Sequence, residues 1–405
     1  MAVLLAFSGG LDTSFCIPFL RETRSEPVHA VTVDTGGVAD ADALKERALS
    51  LGAETHQLID AREALFEDHL RFLIAGNVLR GHVYPLCVGA ERVVQAREVA
   101  KRARQMGASA VAHGSTGAGN DQVRFDVALR ALSGGSFDVL APIREQERSR
   151  GESAAFLRER GFDVPSSTAA YSVNRGLWGT TVGGRETHTS RQPLPEDAYP
   201  DTTPPAESPD APRTITLSFE EGRPTALDGQ ARAPVPLIER LAALGAEHGV
   251  GRGLHTGDTV LGIKGRVGFE APAAKILIAA HRELEKLVLT KWQRYQKDHL
   301  ADFYGTLLHE GQHFDPVMRD IEAFLDSSQE VVTGPVDVEL FKGRARVLGC
   351  DSPFSMMDAG SADYGETHHA WDGRDAEGFA KITGLQPTLA GKARGAMREG
   401  AMRET

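Results

Sequence analysis

The run Ser8-Gly9-Gly10-Leu11-Asp12-Thr13-Ser14 holds the residue types that most directly specify chemistry. An apolar segment, residues 3–7, precedes it, and a helix-compatible segment, residues 15–20, follows. A strand, a glycine-rich turn and a helix N-terminus make a cradle for phosphate. Glycines let the backbone pass close to an anion, and the free N–H groups and positive dipole end of the helix face it. Ser8, Thr13 and Ser14 add hydroxyl donors. Asp12 is a carboxylate set beside phosphates, an arrangement that needs a cation between them, so Mg²⁺ is expected. No Gly-Lys-Ser/Thr follows and no Gly-x-Gly-x-x-Gly is present, so this is neither a Walker A loop nor a dinucleotide fingerprint.

A second run, residues 112–125, carries three glycines together with Thr116, Asn120, Asp121 and Arg124. Its hydroxyl, amide, carboxylate and guanidinium suit a zwitterionic amino acid, with Asp121 for an ammonium and Arg124 for a carboxylate.

These runs need a scaffold. Strand-like segments at residues 3–7, 28–33, 55–59, 110–113 and 139–141 alternate with helical stretches at 42–51, 61–72 and 93–106. That alternation predicts an α/β fold, a doubly wound parallel sheet with helices on both faces. Ligands in such sheets sit at the carboxyl ends of strands, where Ser8, Asp34 and Gly114 fall. The rhythm stops near residue 158. Seven prolines between residues 193 and 212 read as an extended surface loop. Beyond it come a strand at 214–219 and a helix at 235–247. In a further helix at 275–289, Leu277, His281, Leu284 and Val288 recur at helical spacing. Residues 336–341 and 344–348 read as a hairpin around Gly343. The expected division is a nucleotide-binding domain (1–165), an α+β synthetase domain (166–380) and a C-terminal oligomerisation tail (381–405).

The chain has 405 residues, 41% hydrophobic and 25% charged, and a net charge of −11. Those values fit a soluble globular protein and argue against a surface built for nucleic acid. Cys16, Cys87 and Cys350 are isolated, which suits a reducing cytoplasm. No signal sequence and no apolar membrane-length stretch is read. His309-Glu310-Gly311-Gln312-His313 is a literal HExxH, but Gly311 and Pro316 disfavour the helix that zinc would need. His368 and His369 read as a surface pair.

SGGxDTS resembles the pyrophosphate-binding loop of the N-type ATP pyrophosphatases, an adenine nucleotide α-hydrolase-like fold. With the second run, the chain resembles the argininosuccinate synthase family over residues 6–382. Weaker blocks support this, among them Tyr171-Ser172-Val173-Asn174, Leu177-Trp178-Gly179 and Gly262-Ile263-Lys264-Gly265-Arg266. The resemblance implies a cytoplasmic homotetramer of arginine biosynthesis that uses ATP and Mg²⁺. In that chemistry the ureido oxygen of citrulline displaces pyrophosphate from ATP, and the aspartate amine then displaces AMP. Carried over residue by residue, Ala6, Phe7, Ser8, Gly9, Gly10, Leu11, Asp12, Thr13 and Ser14 would hold ATP, with Val33 and Gly114 near the adenosine. Thr116, Asn120 and Asp121 would hold aspartate. Tyr84, Asn120, Arg124, Ser172 and Thr181 would hold citrulline, and Asp12 would organise Mg²⁺ through the phosphates. Asp12, Asp121 and Arg124 are expected to bear most on catalysis. No nucleic-acid or membrane partner is expected.

Three positions depart from the family pattern. Gly89 falls where it has serine, Gly257 where it has glutamate, and Phe269 where it has tyrosine; Asp258 is a candidate substitute for the missing carboxylate. A carboxylate facing the α-ammonium of citrulline stabilises it, and an unpaired cation out of water is costly. The acceptor is therefore either free citrulline or an N-acylated citrulline. A tRNA-modifying relative and a catalytically inactive ATP-binding regulator are the rival readings.

Overall fold

The computed structural model describes residues 2–164, 171–359 and 371–394. The expected boundary at 165/166, the His368–His369 pair and the end of the tail lie outside them. The chain separates into two compact units, Met1–Phe354 and Ser355–Thr405.

The first unit opens on a parallel sheet of β1 (Val3–Ala6), β2 (Val28–Asp34), β3 (Thr55–Asp60), β4 (Ala110–His113) and β5 (Asp138–Leu140), in the order β3-β2-β1-β4-β5. Alternation along β1 sends Val3 and Leu5 to one core and Leu4 to the other, so helices cover both faces. The strand order reverses between β1 and β4, the place where open α/β sheets bind ligands.

Two antiparallel sheets follow. One joins β6 (Tyr171–Gly176), β7 (Gly179–Gly184), β11 (Arg252–Asp258) and β12 (Lys264–Glu270) in the order β11-β12-β7-β6. The other joins β8 (Arg213–Glu220), β9 (Arg223–Leu227), β10 (Gln230–Ala231), β13 (Gly334–Phe341) and β14 (Arg344–Cys350) in the order β10-β9-β8-β13-β14. The anticipated hairpin is the β13–β14 pair. The anticipated amphipathic helix is Pro272–Val288, with Leu277, His281, Leu284 and Val288 all buried.

The proline-rich stretch differs from a plain surface loop. Leu194, Ala198, Thr202 and Ser208 are buried. The backbone N–H of Thr202 and its hydroxyl both donate to the Glu270 carboxylate, the former at 2.9 Å and the latter at 2.5 Å. Proline removes helical options but leaves an extended segment able to pack, and a buried carboxylate supplies the anchor.

The β6–β12 sheet reaches the carboxyl edge of the parallel sheet at three points. Leu177 N–H donates to Thr35 O at 2.8 Å, Trp178 Nε1 to Pro85 O at 2.8 Å, and Val260 N–H to Asn120 Oδ1 at 2.9 Å. No helix among the described residues is long and apolar enough to cross a membrane. The second unit carries two helices, Gly373–Thr383 and Leu385–Ala393.

Candidate active site

Ala6 and His113 are register partners on β1 and β4, so the two polar runs leave the sheet side by side. The first becomes the turn at residues 7–10 and the helix Leu11–Arg24, with Gly10 as an extended N-cap. The second becomes the helix Asn120–Ser133, capped by extended Gly119. The loops touch: a Cβ on Gly114 would stand 2.8 Å from Thr13 Cγ2 and 3.2 Å from the Asp12 carbonyl carbon. Only glycine permits that approach.

The hydroxyls of the first loop serve it differently from the expectation of free phosphate donors. Thr13 and Ser14 are buried. Thr13 Oγ1 donates to Gly10 O at 3.3 Å and lies 3.1 Å from Ser8 Oγ, and Arg47 Nε donates to Ser14 Oγ at 3.0 Å. Short polar side chains near a turn bond local backbone first, and here that shapes the cradle. Ser8 and Gly10 stay exposed at its mouth. Asp12 is half-buried, and burial raises its carboxyl above the ordinary value against the pull of Arg150. Among the described residues it forms no ion pair, so a cation beside it meets a carboxylate with a charge to share. Val33 is the penultimate residue of β2, the strand beside β1.

The Asn120–Ser133 helix presents Asp121 and Arg124 on one face. Asp121 accepts from Arg92 Nε and from Arg124 Nη1, each at 2.9 Å. Burial opposes its charge, yet Arg92 and then Arg124 outweigh burial and hold it at about 2. It is ionised at neutral pH. Arg124 is buried, and Nε donates to His309 O at 2.8 Å while Nη2 lies 3.0 Å from His309 Nδ1. Each guanidinium nitrogen therefore already has a protein partner.

Tyr84 is buried, stacked on His255 at 5.5 Å and tilted against Phe269 at 5.3 Å. Phe269 is the β12 partner of Thr181 on β7. Thr116 and Ser172 are exposed, and among the described residues neither side chain hydrogen-bonds to the Asp121 or Tyr84 groups.

The three departures acquire physical content. Gly89 opens the helix Gly89–Met106, and a Cβ there would rest at ordinary contact distance from His309 Cα, 3.8 Å. At Gly257 the space is taken: a Cβ would stand 2.5 Å from His255 Nε2. Asp258 does not supply the missing carboxylate. Its side chain is exposed and paired with Lys264 at 2.6 Å.

Reading residue types missed Arg92, Arg80 and Glu91, and gave His255 and His309 no place beside Tyr84 and Arg124. Arg92 has a local signal only in hindsight, since its partner Asp121 is 29 positions away. His309 was visible inside HExxH, but that motif spans a helix end. The helix stops at His309, and Gly311 turns the chain at φ +77° against the Arg124 backbone.

Comparison with known proteins agrees with this geometry. The family model described as the arginosuccinate synthase N-terminal HUP domain matches residues 2–163, and that of the arginosuccinate synthase C-terminal domain matches residues 171–390. A relative from Xanthomonas campestris named argininosuccinate synthase is 43% identical, over 96% of this chain and 97% of its own. Relatives of the same name from Rubrobacter xylanophilus and Methanocaldococcus jannaschii are 39% and 36% identical, each over 95% of this chain and over 93% and 97% of their own. The chain belongs to the argininosuccinate synthase family.

Proposed function

We propose that the protein joins citrulline to aspartate at the expense of ATP, releasing AMP and pyrophosphate, as an arginine-biosynthetic enzyme of the cytoplasm. The observation that supports this reading is the pairing of Ala6 with His113, which sets the Ser8–Ser14 loop and the N-terminus of the Asn120–Ser133 helix side by side at the switch point of the sheet.

In this reading residues 6–14 hold the ATP phosphates, with Val33 and Gly114 at the adenosine. Asp12 fits Mg²⁺, because it is a part-buried carboxylate without an ion-pair partner among the described residues. The ion, when bound, would neutralise phosphate charge and ease departure of pyrophosphate. The ureido oxygen forms a bond to the α-phosphorus as the bond to pyrophosphate breaks. The aspartate nitrogen then bonds the ureido carbon, loses a proton, and AMP departs. Asp121, held ionised, positions the aspartate nitrogen together with Thr116 and Asn120. Tyr84, Arg124, Ser172 and Thr181 bound the acceptor. Positioning of this kind contributes several kcal/mol to such reactions.

A second reading keeps the chemistry and acylates the acceptor's α-nitrogen. It draws on the engagement of Asp258 by Lys264 and on the imidazole that fills the place of a side chain at Gly257.

Pyrophosphate release from MgATP, aspartate and an acceptor tests both. Release that requires citrulline, with argininosuccinate formed, and a fall of about 10²–10³-fold in Asp12→Asn, are expected. Faster turnover of N-acetyl- or N-succinylcitrulline establishes the second reading, and tight ATP binding without release under any acceptor defeats both.

A further inference from the structure

The acceptor side of the site holds a cation with no carboxylate at ion-pair distance and two buried imidazole nitrogens without a well-formed hydrogen bond. Residues 80–84 form a tight turn closed by the backbone bridge between Arg80 and Tyr84. Gly81 and His82 both take positive φ there, at 58° and 62°. The turn lies on His255: a Cβ at Gly81 would stand 2.9 Å from His255 Cε1, and the Tyr84 ring stacks on the same imidazole. Arg80 Nη2 donates to Asp258 O at 2.9 Å, on the strand that carries His255. Among the described residues no carboxylate lies within ion-pair distance of Arg80.

His255 and His309 are both more than nine-tenths buried, and Nε2 of each lacks a well-formed hydrogen bond, although the Asp258 backbone also acts on the His309 ring. A buried polar atom without a partner is costly, and such atoms in native proteins call for an explanation. Burial first, then Arg124 and Arg80, push His309 down to about 3, and burial and Arg80 lower His255. Both rings are therefore neutral at physiological pH, and each can offer Nε2 as an N–H donor.

Arg124 cannot supply the free charge alone, because its nitrogens are engaged by Asp121 and His309. Arg80 is the cation of this group that no carboxylate meets at ion-pair distance, with Glu310 and Asp258 acting on it only from further away. We propose that Arg80, with the Nε2 atoms of His255 and His309, forms a carboxylate clamp that fixes the α-carboxylate of the ureido acceptor. A guanidinium flanked by neutral N–H donors matches a planar carboxylate. The clamp rests on the ureido-acceptor reading above, and it serves free and N-acylated citrulline alike, since both keep that carboxylate. Arg80 is a specificity-determining residue here and takes no part in bond making.

The test is calorimetric titration of the whole protein, wild type and the Arg80→Ala and Arg80→Lys variants, with citrulline and with (4-aminobutyl)urea, which is citrulline without its carboxylate. Wild type is expected to bind citrulline about 100-fold more tightly than the decarboxylated analogue, and Arg80→Ala to bind the two alike. Arg80→Lys should recover part of the preference. ATP affinity within twofold of wild type shows that the variants are folded. Equal binding of citrulline and the analogue by wild type, or an undiminished preference in Arg80→Ala, overturns the clamp. Arg80-dependent citrulline binding without argininosuccinate formation upholds the clamp and overturns the reaction assigned to the site.

Discussion

Glu91 is the residue whose surroundings conflict most with its charge. It is buried in the first turn of the helix Gly89–Met106, its Oε1 has no hydrogen-bond partner, and its carboxyl occupies the space left by Gly176. Burial, opposed by Arg92 and reinforced by Asp121, raises it to about 8. An unfolded chain releases the same proton near the ordinary value of 4.5. Between those two values the folded protein keeps a proton that the unfolded chain has lost, so stability is fullest below the lower value and falls as pH rises toward 8. Glu91→Gln keeps the shape and removes the titration. The stability of the variant relative to wild type should therefore grow from pH 5 to pH 8, by on the order of a few kcal/mol. Thermal midpoints of both proteins across that range measure it, and a difference that stays flat with pH contradicts the assignment. Asp121 has the opposite environment, since two guanidiniums keep it charged at all physiological pH values.

At the scale of elements, four helical segments are joined by one buried polar group. Lys297 on the helix Lys291–His309 meets Glu285 on the helix Pro272–Val288 at 3.1 Å and donates to Ala75 O at 2.8 Å. Asn77 and Gln329 donate to the same carboxylate, and His281 joins them, with Nδ1 2.8 Å from Asn77 Oδ1 and Nε2 2.7 Å from Gln329 Oε1. Removing one partner from such a pair leaves an uncompensated buried charge. Lys297→Met should destabilise the protein by about 3–5 kcal/mol, read as a lowered unfolding midpoint in urea; a loss below about 1 kcal/mol would show that water screens the pair. None of this network was legible in the chain. Lys297 and Glu285 are ordinary helix residues in sequence, and only packing makes them partners. The parallel sheet was legible because β-branched runs and helical stretches alternate at short intervals. Both glycine-rich loops were legible because glycine and polar side chains cluster where strands end. The proposed clamp was not, since Arg80, His255 and His309 come from three distant segments with no local pattern. His309 even carried a misleading one, because a motif that implies a helix face fell across a helix end.

At the scale of the whole molecule, the second unit poses its own problem. Asp372 caps the helix Gly373–Thr383, its side chain accepting from the N–H groups of Arg374 and Asp375, so the helix start is well defined. Yet Phe379 and Ile382 are 72% and 77% exposed, and Leu385 and Leu389 on the next helix are more than half exposed. Within each helix the two lie one turn apart, Phe379 and Ile382 at a spacing of three and Leu385 and Leu389 at four, so each helix carries an apolar stripe of the kind that buries against something. Resemblance to the synthase family implies a homotetramer, and a second copy of the chain is the partner these stripes would meet. Burying a large apolar side chain contributes about 1.5–3 kcal/mol, and closed symmetry repeats each contact across copies. A carboxylate in place of Phe379 would lose that contribution and put a charge out of water. Light scattering on the eluting protein should therefore show wild type near four chain masses and Phe379→Asp/Ile382→Asp at a smaller assembly. The variant's thermal transition should also become concentration-dependent over the range where it dissociates. A variant that keeps the wild-type mass assigns assembly to the first unit and leaves the stripes to another role. Near-normal ATP affinity in a dissociated variant would show that the phosphate cradle, built within Met1–Phe354, does not depend on assembly.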